Sequence, residues 1–583
     1  MSERRQAGVH LPDGLFARGR VTSTVFLDGE TKQILENGRN RLVIASLVFA
    51  IVFTVLGLRL GQLALLPTQG EVGQPVRTAS VEMARDRADI VDRNGLLLAT
   101  SLPTASLFAD AAKVIDAEDA ARRLEEILPS LAGTDLKARL SSGRRFIWLK
   151  RNLTPREQSA VNRAGIPGIG FQRETRRIYP QGRLASHVLG YVDVDNNGMA
   201  GVERALDGRL RDTSEGPLRL SVDVRVQHAL TDELQRTVTE FKAIGATGIV
   251  LDVRTGEVLA MASLPDFDPA EAGSVSPDLK GEDNPRFNRA TSGVYEMGST
   301  FKTFTTAMSL DSGRTRLTSG YDATHPLRVA RFTISDDHPK ARWLTVPEIF
   351  MYSSNIGSVR MALDVGTAGQ RRFLSNLGFM ERSPIELREA GAPLVPNPWR
   401  EISTMTVAFG HGISITPMHL VTGMAAMING GILVPPTLVK AQAGVAAQGK
   451  RVISAQTSAT MRQLLRLVVE RGTGRKAEVA GYLIGGKTGT AEKASRHGYR
   501  RKALLSSFLA AFPMNDPRYA VLIMVDEPKG NQSTYGYATG GWVSAPAVAR
   551  VVARVAPILG VEPAPPELQV VDQAMLVAAR LVQ

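Results

Sequence analysis

Three short polar elements, far apart in the chain but in a fixed order, constrain this sequence more than any other feature. They are Ser299–Lys302 (Ser-Thr-Phe-Lys), Ser353–Asn355 (Ser-Ser-Asn) and Lys487–Thr490 (Lys-Thr-Gly-Thr). A serine hydroxyl is a weak nucleophile at neutral pH and needs a nearby base to accept its proton. No histidine lies near Ser299 in the sequence, but Lys302 follows three positions later, and residues i and i+3 share one face of a helix. The pattern therefore predicts a serine nucleophile with a lysine as its base.

The surroundings of the first and third elements favour the same chemistry. Ser299 follows Gly298 at a predicted helix start, where free backbone N–H groups can stabilise an oxyanion. Lys487–Thr490 follows Gly485-Gly486 and precedes a predicted pair of strands. Gly489 has no side chain, so a substrate could lie close along that strand. A single Ser-x-x-Lys is a weak signal, and the prediction depends on the order and context of all three elements.

Composition excludes several classes of function. A chain of 583 residues is too long for one core and predicts about three folded units, and its 43% hydrophobic and 22% charged residues argue against extensive disorder. There is no cysteine, which rules out disulfides, thiolate zinc sites and cysteine nucleophiles. The formal charge of +13 is spread out, and its densest small group, within residues 496–502, has only Tyr499 as an aromatic neighbour. We therefore expect a solvated basic loop near anionic lipid or wall polymer, and no nucleic-acid partner.

A charge-free apolar stretch, Leu42–Leu58, predicts a membrane anchor. With its apolar flank up to Leu66 it is long enough to cover a hydrocarbon core of about 30 Å. The preceding residues 1–41 are rich in Arg and Lys, whereas residues 60–84 carry only Arg77, so the positive-inside rule places the amino terminus in the cytoplasm. We expect a single-pass protein of the cell inner membrane with a cytoplasmic tail (1–41), an anchor (42–66) and an extracytoplasmic, periplasmic remainder.

The part of the chain after the predicted anchor shows two different sequence patterns. After a Gly-, Gln- and Pro-rich linker, short β-branched runs alternate with turn signals, which predicts an extended mixed pedestal module over residues 67–215. Beyond it, pairs of apolar strands joined by tight turns alternate with helices, which indicates an antiparallel α+β domain over residues 216–560. A tail of unknown function, 561–583, follows. The predicted strands include 248–252, 258–262, 507–512 and 519–525, and the predicted helices include 117–128, 226–241 and 417–428.

A phosphate-binding loop is the main alternative interpretation of the third element. Gly481–Thr488 fits the pattern G-x-x-x-x-G-K-[ST], and the apolar run 519–525 ends in Asp526-Glu527. Three features oppose it: Gly489 and a polar loop follow where a helix should begin, the region 506–525 predicts a hairpin, and the segment is predicted to lie outside the cell. The eight histidines show no recognisable metal spacing, so we expect neither metal nor cofactor.

The three elements are the signature of serine-based penicillin-binding proteins and class A β-lactamases. The chain as a whole resembles the class B penicillin-binding proteins, in landmarks that span roughly residues 85–550. A short spacer between Gly190 and Gly201 resembles the division (septal) type more than the elongation type, and Met297 departs from the proline of many relatives. The landmarks, in family order, are residues 87–95, 179–180 with 187–190, 198–203, 255–263, 295–302 and 472–474.

The resemblance implies a D,D-transpeptidase that cross-links peptidoglycan through an acyl-enzyme. It also implies a multidomain α+β fold, with a pedestal (dimerisation-like) module and a transpeptidase domain in which helices sandwich an antiparallel sheet. Ser299 would attack the penultimate D-Ala carbonyl of a stem peptide, with Lys302 as base. Ser353 would relay a proton, and Asn355 would hold Lys302 and the substrate amide. Burial, together with Lys487 as a second cation, would lower the pKa of Lys302.

The remaining implied roles concern substrate binding and partners. Thr488 and Thr490, on either side of Gly489, would bind the terminal carboxylate beside Lys487, and the backbone N–H groups of Ser299 and Thr490 would form the oxyanion hole. The implied partners are peptidoglycan stem peptides, lipid-linked precursors, β-lactams, a membrane-embedded glycosyltransferase and other division proteins.

Three alternatives stay open at this level. An elongation-type transpeptidase shares the whole motif set. A β-lactamase shares the three elements but hydrolyses its acyl-enzyme, and such enzymes lack an anchor and a pedestal. A β-lactam sensor would keep Ser299 and signal through the cytoplasmic tail, which shows no domain of its own.

Overall fold

The computed structural model describes residues 43–59, 87–329, 332–442, 444–495 and 498–565. The chain divides into two compact units, Met1–Met83 and Ala84–Gln583. In the first unit, residues 43–59 form a helix, α1. Within the described ranges, no helix combines the length and the apolar character needed to cross a bilayer. The predicted cytoplasmic tail, the linker 67–84, part of the predicted anchor and most of the carboxyl-terminal tail lie outside the described residues.

The second unit begins with a mixed sheet in the order β3-β2-β1-β5, to which β4 adds by pairing with β2. Leucine and alanine side chains of β2 and β3 pack with those of α2, α3 and α4 into a small core of their own. Its strands and helices are β1 (Ile90–Val91), β2 (Leu97–Ala109), β3 (Ile147–Leu153), β4 (Ile169–Ile178) and β5 (Leu218–Arg219), with α2 (Ala117–Ile127), α3 (Leu136–Leu140), α4 (Pro155–Ala164), α5 (Ser186–Leu189), α6 (Gly201–Ala205) and α7 (Asp207–Arg211).

A buried ionic network fixes the short helices beside this sheet. Glu203 is fully buried, and its two carboxylate oxygens accept from Arg87 Nε at 2.6 Å and Arg177 Nε at 2.7 Å. Arg87 also pairs with Asp207 at 2.6 Å. Removing one partner of a buried ion pair typically costs about 3–5 kcal/mol, because the other charge is left uncompensated.

The rest of the unit contains α8 to α15 and β6 to β16. The helices are α8 (Val224–Glu240), α9 (Lys302–Asp311), α10 (Val346–Tyr352), α11 (Asn355–Asn376), α12 (Glu401–Val407), α13 (Pro417–Ile428), α14 (Ala455–Arg471) and α15 (Ser544–Ile558). The strands are β6 (Gly245–Asp252), β7 (Val258–Leu264), β8 (Gly320–Asp322), β9 (Leu327–Val329), β10 (Phe332–Ile334), β11 (Trp343–Thr345), β12 (Ile432–Leu433), β13 (Lys450–Arg451), β14 (Gly485–Ser495), β15 (Gly498–Phe512) and β16 (Tyr519–Asp526).

A five-stranded sheet in the order β14-β15-β16-β6-β7 carries the main core, and every neighbouring pair in it is antiparallel. Alternate side chains of β16 enter two different cores, because successive residues of a strand point to opposite faces. Val521 and Ile523 pack with α8 and α15, whereas Leu522 and Met524 pack with α9, α13 and α14. Helices therefore cover both faces of the sheet, as the family resemblance implies.

The predicted strands and helices occur close to their predicted bounds, but one predicted loop is wrong. The polar region after Gly489 is not a loop, because β14 continues to Ser495 and β15 begins at Gly498. The described part of the basic group therefore lies on an extended hairpin, and there Arg500 pairs with Glu527. The mostly polar composition of this segment is typical of a loop when only the sequence is considered.

Candidate active site

The first element forms a tight turn that leads directly into a helix. Gly298–Phe301 is a 3₁₀ turn, and α9 begins at Lys302. Residues i and i+3 eclipse one another in a 3₁₀ turn, which brings Lys302 Nζ to 3.1 Å from Ser299 Oγ. Gly298 has φ +52°, and a Cβ there would lie 2.5 Å from the carbonyl oxygen of Thr490, so only glycine fits against that strand.

The second element turns the chain between α10 and α11. Ser353 has a left-handed backbone (φ 60°), and Ser354 caps α11. Asp336 holds this turn from outside: its carboxylate accepts from Ser354 Oγ at 2.7 Å and from the backbone N–H of Asn355 at 2.6 Å. The sequence analysis missed Asp336, because it lies nineteen residues before Asn355 and no local pattern links it to that helix start.

The Lys302 amine contacts four oxygens. Two of them can only accept a hydrogen bond: the carbonyl of Ser353 and Oδ1 of Asn355, both at 2.6 Å. The other two are the hydroxyls of Ser299 and Ser353, both at 3.1 Å. A neutral amine has two N–H donors for the first pair and one lone pair, which can accept a proton from a hydroxyl. The contacts therefore suit an uncharged amine poised as a base.

Lys487 approaches the same centre from β14. Its Nζ lies 2.9 Å from Ser353 Oγ, so that hydroxyl stands between the two lysine amines. Both amines are almost completely buried. Burial lowers the pKa of Lys302 to about 8, against the opposing charges of Asp336 and Asp337. The predicted lowering of the Lys302 pKa is thus present.

Of the two predicted causes of that shift, burial is confirmed as the leading one, whereas the charge of Lys487 is not among its causes. Burial also lowers the pKa of Lys487 well below its ordinary value, and the charge of Lys302 lowers it further. Burial is thus the leading cause of both shifts, and two ammonium groups beside one hydroxyl would be costly in a buried site. The hydroxyl of Ser353 joins the two amines.

The other residues of the third element lie on β14, the edge strand of the sheet. Thr488 Oγ1 lies 2.8 Å from Thr473 Oγ1, and Thr490 Oγ1 accepts from the backbone N–H of Gly540 at 3.1 Å. Gly489 has a packing role beside the predicted one, which stays a prediction. A Cβ there would lie 2.4 Å from Ser507 Oγ and 2.8 Å from Thr300 Cγ2, so the missing side chain lets β14 pack closely against β15 and the Ser299 turn.

A cavity of about 340 Å³ opens above Ser299. It is lined by Ser353, Thr488 and Thr490 from the predicted set, whereas Gly489 is covered by protein atoms. The sequence predicted no role for the other lining residues, although Thr473 belongs to the family landmark at residues 472–474. These other lining residues are Asp336, Asp337, His338, Tyr352, Thr473, Arg475, Lys476, Thr539, Gly541 and Trp542. Among the described residues, no group of three or more His, Asp or Glu side chains is placed to hold a metal ion.

Comparison with known proteins agrees with this architecture. Residues 246–553 match the penicillin-binding protein transpeptidase domain, and residues 83–223 match the penicillin-binding protein dimerisation domain. The probable peptidoglycan D,D-transpeptidase FtsI of Caulobacter vibrioides is 42% identical over 540 residues, covering 90% of each chain. The chain belongs to the class B penicillin-binding proteins, of the septal type.

Other members of the family are more distant but cover most of the chain. The peptidoglycan D,D-transpeptidase FtsI of Escherichia coli is 29% identical and covers 83% of this chain, which in turn covers 85% of it. Among solved structures, penicillin-binding protein 3 of Mycobacterium tuberculosis complexed with ampicillin superposes with a TM-score of 0.65 at 25% identity, covering 84% of this chain and 98% of that one. The phosphate-loop interpretation is wrong, because Lys487 lies within an antiparallel strand of a penicillin-binding protein.

Proposed function

We propose that this penicillin-binding protein is a peptidoglycan D,D-transpeptidase that cross-links stem peptides during septal wall synthesis, and that β-lactams inhibit it by acylating Ser299. The names of the similar FtsI proteins support the activity. One observation carries the assignment of residues: Ser299 Oγ lies 3.1 Å from the buried amine of Lys302, whose two N–H donors already have acceptors. That leaves the lone pair for the proton of Ser299.

In the acylation step, neutral Lys302 takes the proton of Ser299 while Oγ attacks the penultimate D-Ala carbonyl. General-base assistance of this kind contributes about 10²- to 10⁴-fold. The proton then travels through Ser353, which contacts both lysine amines, to the amine of the departing D-Ala. Because Lys487 has a strongly lowered pKa, it can accept and return that proton rather than repel it.

Substrate binding uses the edge strand. Asn355 holds Lys302 through Oδ1. Its amide nitrogen donates one hydrogen bond to the carbonyl of Ser335 at 2.8 Å, and we assign its second N–H to the stem-peptide amide. Thr488 and Thr490 bind the terminal carboxylate beside Lys487. The backbone N–H groups of Ser299 and Thr490 stabilise the oxyanion, and losing one such donor typically costs about 10²- to 10³-fold in rate.

Labelling with a fluorescent penicillin tests the nucleophile. We expect Ser299→Ala to abolish the covalent label, and Lys302→Ala to slow its formation by about 10²-fold or more. Ser312→Ala is the matched control, because this serine follows the same helix but its hydroxyl contacts backbone groups, donating to the carbonyl of Ser309 and accepting from the N–H of Arg314. Covalent label on Ser299→Ala, located by mass spectrometry, would reassign the nucleophile. Label that is lost within seconds from the unaltered protein would favour a β-lactamase.

The setting of the enzyme is also part of the proposal. Residues 1–41 lie in the cytoplasm, 42–66 anchor the protein in the inner membrane, 67–215 form the pedestal, and 216–560 form the periplasmic catalytic domain. The exposed apolar side chains of α1 support the anchor. Its partners are lipid-linked precursors, a membrane-embedded glycosyltransferase and other division proteins. Gathering of the tagged protein along the side wall, with none at midcell, would favour the elongation type instead.

A further inference from the structure

Two cations in the active-site cavity have no role in the mechanism above. Arg475 and Lys476 both line the cavity, and both are exposed to solvent. Among the described residues, neither forms an ion pair with a carboxylate. The Lys476 amine instead lies 4.1 Å from the ring centroid of Trp542, which holds it at the cavity wall. The other two cationic side chains of the site, Lys302 and Lys487, are buried and hydrogen-bonded, so Arg475 and Lys476 are the ones available to a ligand.

Their place in the fold is fixed. Arg475–Ala477 is a 3₁₀ turn whose last residue, Ala477, is buried. The preceding Gly474 packs on the ring of Phe508 in β15, where a Cβ would lie 3.0 Å from a ring carbon. One residue earlier, Thr473 meets Thr488 hydroxyl to hydroxyl at 2.8 Å. The two cations therefore lie on the turn that supports the end of the site where Thr488 binds the carboxylate.

These cations could act in the second step of transpeptidation, in which the acceptor amine of a neighbouring stem peptide attacks the acyl-enzyme. The leaving D-Ala is an amine that carries a carboxylate on the same carbon. The acceptor amine attacks the same acyl carbon that the leaving amine quits, so it must occupy the same place in the site. If the cations that can bind a carboxylate are unoccupied when the acceptor attacks, the site favours an acceptor amine that carries a carboxylate on the same carbon, as the leaving D-Ala does.

We propose, on the basis of the transpeptidase function above, that Arg475, Lys476 and Thr473 form an acceptor subsite that selects an amine with a carboxylate on the same carbon. An Arg guanidinium can bind a carboxylate through two parallel hydrogen bonds, and Lys476 adds a second positive charge. An acceptor whose amine stands on a plain methylene carbon, such as a lysine side chain, has no group for this wall.

The opposite charge is present in the same cavity. Asp337 lines it and is exposed, and among the described residues it has no hydrogen-bond or ion-pair partner. The cavity thus offers cations for a carboxylate and an anion for an ammonium group, which together suit a zwitterionic acceptor. Before attack the acceptor loses one proton to solvent. Its nitrogen then bonds to the acyl carbon, the bond to Ser299 Oγ breaks, and the second amine proton passes through Lys302 to that oxygen.

Partition of one acyl-enzyme between competing acceptors tests the subsite. The full-length protein is acylated by a thioester of N-acetyl-D-alanine with an uncharged thiol, in the presence of D-alanine or D-alaninamide. These two amines differ only in carboxylate against carboxamide. Mass spectrometry gives the ratio of aminolysis to hydrolysis for each. Intrinsic differences between the two amines are the same for every variant, so the comparison between variants isolates the site.

We expect the preference for D-alanine over D-alaninamide to fall about tenfold in the double variant Arg475→Gln/Lys476→Gln, because two rim charges are lost. The matched control Arg314→Gln/Lys280→Gln removes the same charge from exposed positions outside the cavity and should keep the preference. An unchanged preference in the first variant, with an acyl-enzyme still formed, overturns the subsite but leaves the proposed function intact. Absence of any acyl-enzyme in the unaltered protein overturns both.

Discussion

The pH dependence of Ser299 acylation provides the sharpest test of the lysine base. Lys302 acts only when its amine is neutral, and burial lowers its pKa to about 8. At pH 7 about a tenth of the molecules then carry the neutral amine, and at pH 6 about a hundredth. The acylation rate should therefore rise about tenfold per pH unit below 8 and level off above about 9. Because the charge of Asp337 raises the Lys302 pKa, Asp337→Asn should move this rise to lower pH.

The assay is the second-order rate of labelling by a fluorescent penicillin between pH 5.5 and pH 9.5. Unfolding has to be followed over the same range, and the sign of its pH dependence is known for this group. The pKa of Lys302 is lower in the folded protein than the 10.5 of the free side chain. The unfolded chain therefore binds more protons between about pH 8 and 10.5, so this lysine makes stability rise with pH there. A labelling rate that stays flat from pH 6 to pH 9 in folded protein would refute the neutral-lysine mechanism.

Two further predictions concern packing. Gly298→Ala places a Cβ 2.5 Å from the Thr490 carbonyl and should reduce labelling by about 10²-fold by displacing the strand, as penicillin kinetics would measure. Gly313 also has a positive φ, but a Cβ there would meet open space, so Gly313→Ala is the control. An equal loss of labelling rate in the two variants would refute the steric cause. Glu203→Gln leaves two buried arginines undercompensated and should cost about 3–5 kcal/mol, seen as a lower Tm, whereas Glu118→Gln, at an exposed pair, should cost under about 1 kcal/mol. Equal Tm values for those two variants would contradict the network.

Local sequence patterns were sufficient to predict most strands of the five-stranded sheet and some of the helices that pack on it. Helix α13 begins at Pro417 as predicted, because Thr416 caps it and proline is favoured in the first turn. Strands β6 and β7 follow from apolar runs around a Thr-Gly turn. These signals are local, so neighbouring residues alone determine them. The extended hairpin of β14 and β15 was missed because its segment from Glu492 to Lys502 is mostly polar and shows no apolar alternation typical of a strand.

Contacts between distant segments account for the parts of the site that the sequence did not predict. Asp336 lies nineteen positions before Asn355, on a loop without periodic pattern, and its role appears only when the loop folds back on the helix N-terminus. Burial of Lys487 depends on the packing of β14 in the whole domain, which is why its lowered pKa was not foreseen. Ser299 and Lys302 could be predicted because a single turn joins them.

The edge position of β14 links the fold to the chemistry. An edge strand leaves backbone groups on one side free, which a peptide substrate can use as a further strand, but an unsupported edge would also move. This strand is held at both ends. Lys487 is buried at its start, and near its far end Lys493 pairs with Asp526 at 2.9 Å and with Glu282 at 2.5 Å. The length between these two lysines carries Thr488 and Thr490, to which we assign the carboxylate of the substrate, and the two side-chain anchors fix its geometry.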